Sequence, residues 1–371
     1  MRGAVPALAV GAVALLLSAC GATRSAVART TTTSLPPLPP AVVAYVTLVG
    51  TGSSLGLGDK VAAVDVSGGG GATQLVRVGT FPDAIAVAPG GSEAYVTSYA
   101  SDTLTPIDLS TGKALSPIPA GPGPAGVAIS PDGKVAYVTD AGATPLGDTV
   151  TPIDLATRRA LAPIKVGAGP QGIAITPNGQ TAYVADAGAI VTGQTGPVGD
   201  TVTPIDLATR RALPPITVGN APTAVTVSPD GATVYVANSS SGSVTPISVV
   251  AGTAGTPVAV DGSPQALAFA PGDSATLYVA SAPSAVAPGD TVTPVSVTSG
   301  TAGAPVAVCK SPAGIAVEAS TAWVSCAGSG TLTPVDLATR KVGTPVPVAG
   351  GPYAIALVTR AQGAQRARPK R

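Results

Sequence analysis

A twenty-residue pattern with a proline in each of its two extended halves recurs through the chain, and no other feature narrows the possible folds as far. In its fullest form it reads DTVTPIDLATRRALAPIKVG, Asp148 to Gly167. Five further copies follow the same plan, from DTLTPIDLSTGKALSPIPAG at Asp102 to GTLTPVDLATRKVGTPVPVA at Gly330. Each half alternates apolar and polar residues as a strand does, and turn residues separate the halves. Proline, however, gives no donor to a β-ladder and is confined to edge strands, strand starts and bulges. The chain must repeat an architecture that has a place for such residues.

Two more markers keep the same rhythm. An aromatic followed by valine and a small residue stands at Tyr45, Tyr95, Tyr137, Tyr183, Tyr235, Tyr278 and Trp323. A proline leading into an apolar alternation stands at Pro82, Pro124, Pro170, Pro222, Pro264, Pro312 and Pro352. With Ala63 of AAVDV in the place of the first hairpin proline, all three markers agree on seven units spaced 40 to 52 residues apart. That is the period of propeller blades and related arrays. Composition agrees: 46 glycines, 38 prolines and 45% hydrophobic residues suit many short strands and tight turns rather than long helices.

Each unit resolves into four strands. In the one that begins at Pro170, strand A is Gly172 to Ile175, B is Thr181 to Ala185, C is Thr201 to Asp206 and D is Ala212 to Val218. The tight TPNGQ and SPDG turns between A and B, with glycine supplying positive φ, favour a four-stranded meander over the shorter rungs of a parallel β-helix. The hairpin prolines lie 11 residues apart in every copy, from Pro106 with Pro117 to Pro334 with Pro345, which predicts that they face each other across the C–D hairpin. On the outermost strand, D, proline costs no ladder bond and discourages edge pairing. On strand C, which has neighbours on both sides, a gap or bulge is expected.

The repeats AYVTD, AYVAD and VYVAN, with SPDG and the hairpin, resemble the YVTN family of β-propeller repeat proteins over about residues 42–358. The motif is closest at Tyr137-Val138-Thr139-Asp140 and Tyr235-Val236-Ala237-Asn238. The resemblance implies an all-β, seven-bladed β-propeller of four-stranded antiparallel blades, found on microbial surfaces and in secreted chains. Lactonase-type propellers are similar too, a likeness of fold rather than of catalysis. Phase predicts the closure. AYVT at Ala44 is a B strand without an A strand before it, and GPYAIALV, Gly351 to Val358, is an A strand without a blade after it. The C-terminal strand is expected to complete the first blade.

Residues 1–19 read as an address rather than as fold. Arg2 precedes an apolar run, Ala4 to Leu17, and Leu17-Ser18-Ala19-Cys20 resembles the bacterial lipobox, in which the signal is cut before a lipidated cysteine. Lipid on Cys20 would hold the protein to the outer face of the membrane, with the Thr- and Pro-rich residues 20–41 as a tether. The folded body follows at 42–358. Residues 359–371 form a basic tail that includes Arg366, Arg368, Lys370 and Arg371. Between residues 42 and 359 there are 12 basic and 19 acidic side chains. No basic stripe interleaves with aromatics, so nucleic acid is not an expected partner.

Chemistry is sparse. The chain has no histidine, which removes His-based triads, general bases and metal ligands, and Glu93 and Glu318 are its only glutamates. The glycine run at Gly68–Gly71 lacks a following lysine and helix, so it is a C–D loop rather than a phosphate cradle. Asp108, Asp154, Asp206 and Asp336, at the ends of C strands, suit Asx-type turns. The B–C loops vary in length and share one face with the D–A loops, and rigid scaffolds carry their binding sites on such loops. Asp59, Asp102, Asp148, Asp200 and Asp290 enter strand C on that face. They form either an acidic rim for a cation, a sugar or a basic partner, or a set of caps for their own loops. Cys309 before one A strand and Cys326 after the following B strand fall at the same end of a blade. They form either a disulfide or two separate buried thiols. The function expected is a monomeric, membrane-anchored module of the cell envelope that binds or scaffolds an envelope protein or glycan without cofactor or metal. A secreted lactonase-like hydrolase is the alternative.

Overall fold

The structure, a computed structural model, describes residues 41–50, 58–67, 72–142, 146–189, 196–284 and 287–360. The apolar N-terminal run, Cys20, the tether up to residue 40, the glycine run 68–71 and the basic tail from 361 lie outside these residues. All described elements are strands, and they form seven antiparallel sheets arranged as the blades of a closed propeller. In blade 3, strand A is Pro124–Ile129, B is Val135–Asp140 and C is Thr149–Asp154, while D is two short pieces, Arg159–Ala160 and Ile164–Lys165. Blade 1 closes the ring as phase predicts. Its Ala41–Leu48, Lys60–Asp65 and Ala72–Arg77 are completed by Pro352–Arg360, with Tyr45 paired to Ala63 on one side and Ala356 on the other.

The core lies between blades rather than within them. Successive side chains of a strand point to opposite faces, so each B strand serves two interfaces. Tyr45 packs toward blade 2 with Val96 and Ile107, while its neighbours Ala44 and Val46 meet Trp323 and Leu332 of blade 7. A hydrophobic cluster of this kind occupies each of the seven interfaces, and each takes one marker aromatic from the preceding blade. Burying one such ring is worth up to about 4 kcal/mol of apolar transfer.

In blades 1, 2, 3 and 7 the residue after the aromatic and valine is Thr or Ser, and its hydroxyl has a separate task. Strand A bulges beside it, with Val138 opposite Val127 but Asp140 opposite Pro124. The Thr139 hydroxyl accepts the freed Gly126 N–H at 2.7 Å and donates to the Gln171 carbonyl of blade 4 at 2.7 Å. Thr97 likewise accepts from Ala84 N–H at 2.9 Å and donates to the Ala125 carbonyl of blade 3 at 2.6 Å. Thr47 accepts from Ala354 N–H, and Ser325 donates to the Tyr353 carbonyl across the closure. One hydroxyl thus satisfies a bulge and ties two blades.

The gap expected at the C-strand proline is found on strand D instead. Thr149–Asp154 is continuous, with Pro152 beside Tyr137 of strand B. The Pro152 carbonyl accepts Leu161 N–H of strand D at 2.8 Å. In an antiparallel strand a residue's nitrogen faces the same neighbour as its carbonyl, so the missing donor weakens only the C–D ladder, and D is the strand that opens. Strand D of blade 4, expected to run from Ala212 to Val218, is accordingly Arg211–Ala212 and Ile216–Thr217. Nor do the two prolines face each other. Ile153 pairs with Ala160 but Val150 with Ile164, so D carries one extra residue. Blade 1, with Ala63 in the proline's place, keeps Ala72–Arg77 as one strand.

Candidate functional site

Each A strand starts at its marker proline, or in blade 6 one residue before it at Ser263, on the face that carries the B–C and D–A loops, and the residue after the proline lines the mouth of the central channel. Around the ring from blade 1 to blade 7 these residues are Tyr353, Asp83, Ala125, Gln171, Thr223, Gln265 and Ala313. With the two residues that follow on each strand they enclose a cavity of about 370 Å³. Glycine permits the close approach of neighbouring A strands: a Cβ on Gly172 would stand 2.7 Å from the Thr223 carbonyl oxygen.

Two ionisable groups line this cavity, on adjacent strands. Partial desolvation by the surrounding channel wall pushes the pKa of the Asp83 carboxyl up to about 7. The charge of Asp83, followed by burial, holds the Tyr353 phenol above its usual value. Among the described residues no hydrogen bond or ion pair reaches the Asp83 carboxylate, while its backbone carbonyl faces the Thr47 hydroxyl at 3.3 Å. Sequence reasoning missed this ring. Its signal was present, because the position after the marker proline varies among Asp, Ala, Gln, Thr and Tyr while the alternation around it repeats. A strand pattern alone does not tell which positions border a channel.

The rim aspartates lie farther out and are held by local contacts. Asp102 accepts Gly123 N–H at 2.8 Å and Asp290 accepts Ser311 N–H at 2.7 Å, each tying its loop to the D–A loop of the next blade. Both have positive φ, 52° and 59°. Asp59 pairs with Arg77 at 2.9 Å and Asp148 with Lys165 at 3.1 Å. The backbone carbonyl of Asp200 accepts Val218 N–H at 2.8 Å. These contacts do not bring the five carboxylates together, and among the described residues no three His, Cys, Asp or Glu side chains converge as a metal-binding group. Asp108, Asp154 and Asp336 accept from Ser110, Thr157 and Thr339 two or three residues on, the Asx geometry expected of them.

Between rim and channel, a residue at or near the end of each B strand pairs with the marker proline of strand A. In blades 3 and 4 it is a buried carboxylate. Asp140 accepts from the Thr149 and Thr151 hydroxyls, each at 2.7 Å, and Asp186 accepts from Thr203 at 2.6 Å. Burial outweighs these bonds and pushes both up to about 6. In blade 7 the same place is taken by Cys326, fully buried and the final residue of strand B rather than beyond it. It is bonded to Cys309, with Cα atoms 5.9 Å apart.

A closed seven-bladed propeller with a channel mouth lined in this way defines the class of molecule. No family model matches the chain, and no curated protein does. Solved structures are similar in fold. A hydrazine synthase of Kuenenia stuttgartiensis superposes with a TM-score of 0.65 at 20% identity, covering 76% of this chain and 96% of that one. A protein of unknown function from Desulfotomaculum acetoxidans gives 0.68 at 18% identity, covering 85% and 99%. A 6-phosphogluconolactonase candidate from Bacteroides uniformis gives 0.66 at 17% identity, with the same coverage of 85% and 99%. At these identities the likeness is one of fold.

Proposed function

We propose that the protein is a lipid-anchored binding propeller of the cell envelope, of the YVTN type that its repeats resemble, which takes its ligand at the loop-face mouth of the channel. The observation that carries this reading is the lining. Asp83, Gln171, Thr223, Gln265 and Tyr353 bring polar side chains from five blades to the lining of one cavity, within the size range of small-ligand sites. Acyl chains on Cys20 and the Thr/Pro-rich tether place that mouth outside the membrane, and the rim aspartates shape the loops around it. The lactonase reading has less support. A phosphorylated lactone calls for Arg or Lys at its phosphate, and the cavity lining contains neither. Acyl transfer also asks for a nucleophile with its base and an oxyanion site, whereas this lining offers one carboxyl and one phenol.

Crosslinking in intact cells, followed by fractionation, tests the proposal. Parent protein should stay with membranes and capture an envelope component. Cys20→Ser should be released or remain unprocessed, and Gln171→Ala with Gln265→Ala should lose the capture. Lactone hydrolysis by the purified protein that vanishes in Asp83→Asn would overturn the binding reading. Normal membrane retention of Cys20→Ser would overturn the anchor.

A further inference from the structure

Aromatic residues make up 3% of the chain, yet three of them fall in the sector of Asp83: Tyr353 beside it in the cavity lining, and Phe81, two residues before it, paired with Tyr99. Asp83 lies beside Tyr353 of blade 1, and its charge also bears on the phenol of Tyr99, just beyond strand B of its own blade. The Tyr99 ring meets Phe81 edge to face, with centroids 5.9 Å apart and planes at 65°. Tyr99 N–H donates to the Phe81 carbonyl at 2.9 Å, which fixes the pair to each other. All four side chains keep some access to water at the loop face.

Phe81 holds this place against a steric cost. Its φ is 55°, a left-handed conformation that bulky side chains avoid. The residue before the marker proline has a positive φ in five other blades as well, at Gly123, Gly169, Ala221, Ser311 and Gly351, from 52° to 69°, and only in blade 2 is it an aromatic. Backbone strain of this kind persists where the surrounding structure or a task requires the side chain. Packing of the blades does not require this one, because the other six interfaces form without it.

We propose that Phe81, Asp83, Tyr99 and Tyr353 form a binding site for an organic cation of the alkylammonium class, at the sector of the channel mouth shared by blades 1 and 2. The aromatic faces supply quadrupole attraction to a weakly hydrated cation, and the carboxylate without a partner supplies the counter-charge. The cavity of about 370 Å³ beside them has no basic lining residue to oppose such a ligand. Ligand and proton compete for Asp83. The titratable groups coupled to it are Tyr353 from blade 1 and Tyr99 from its own blade. Both phenols are held above their usual values and stay neutral.

This inference rests on the channel mouth being a binding site, and its test uses purified full-length protein with choline as the probe. Calorimetric titration at pH 8 should show saturable binding of choline. Its uncharged isostere, 3,3-dimethylbutan-1-ol, should bind at least about tenfold more weakly, and Asp83→Asn should lose about tenfold or more. Choline affinity should fall about tenfold per pH unit below about 7, as the carboxyl takes up its proton. Phe81→Gly is the variant that separates folding from binding. Glycine suits the positive φ, so the melting temperature should hold or rise while affinity drops several-fold. Equal binding of choline and its isostere, no binding at millimolar choline, or unchanged affinity in Asp83→Asn would overturn the cation site. Capture of an envelope component in cells would survive that result, so the two readings fail separately.

Discussion

At the scale of single residues, Asp140 and Asn238 occupy equivalent places in blades 3 and 5 but bond in opposite directions. Asp140 accepts from Thr149 and Thr151, whereas Asn238 donates from Nδ2 to Ser243 and Thr245. The fold therefore accommodates a neutral amide here, and the charged form is the costly one. Folding raises Asp140 from 3.8 to about 6, mainly by desolvation. Its contribution is fully present below the unfolded value and is lost as pH rises through the folded one. Asp140→Asn should thus melt above the parent at pH 7.5, by the ~2–4 °C that about 1 kcal/mol gives, and converge with it below about pH 4. Differential scanning calorimetry at the two pH values decides this, and equal melting at both would mean the carboxyl is not desolvated. Thr139 makes a second case. Thr139→Val keeps the shape but leaves Gly126 N–H without its acceptor and the Gln171 carbonyl without its donor. A loss of about 1–3 kcal/mol is expected in urea unfolding, with most of it restored by Thr139→Ser.

Among elements, the D–A loop and the end of strand B are joined in several chemically different ways at one structural position. Gly121 and Gly167 lie so close to Asp140 and Asp186 that a Cβ on either glycine would collide with the carboxylate. In blade 7, Cys309 and Cys326 stand in these two places and are bonded. The bridge should therefore be transferable. Gly121→Cys with Asp140→Cys should oxidise to a disulfide in blade 3, recovered as linked peptides by mass spectrometry without reductant, and add roughly 2–4 kcal/mol. Two freely alkylated thiols in the folded variant would show that the positions are not equivalent. The C–D hairpin illustrates the reverse case, one sequence feature with its effect displaced. Proline on C opens strand D, because the nitrogen that lacks a hydrogen faces D.

For the whole molecule, stability depends on closure, since the core lies in the seven interfaces and each blade is finished by its neighbours. Ala41–Leu48 pairs with Pro352–Arg360 from one end of blade 1 to the other. Residues 43–46 and 358 belong to clusters at both interfaces of that blade. Deleting 351–371 removes the inner strand, unpairs the buried backbone of strand B at ~1–3 kcal/mol per group, and also removes Tyr353 from the channel mouth. Global loss of stability should follow, seen as a large drop in melting temperature or as insoluble protein. Deleting only 361–371 leaves every described strand in place and should melt within about 1 °C of the parent. If both truncations melt like the parent, the ring does not depend on this clasp.

The sequence by itself determined the number of blades, their strand order and the closure, because these follow from periodicity and phase, which are local properties repeated seven times. Tyr45 at the start and Pro352 at the end sufficed to show that one blade is shared by both chain ends. Tertiary structure alone decided what those repeated positions face. That Thr139 reaches the next blade, that the D strand opens opposite Pro152, and that Asp83 and Tyr353 come side by side at the channel mouth all depend on packing in the folded ring. The five rim aspartates were conspicuous because they recur. Phe81 and Asp83 were not, because Phe81 departs from the repeat in a single blade and Asp83 stands where the repeat varies, and only the closed ring brings them to the same sector as Tyr353.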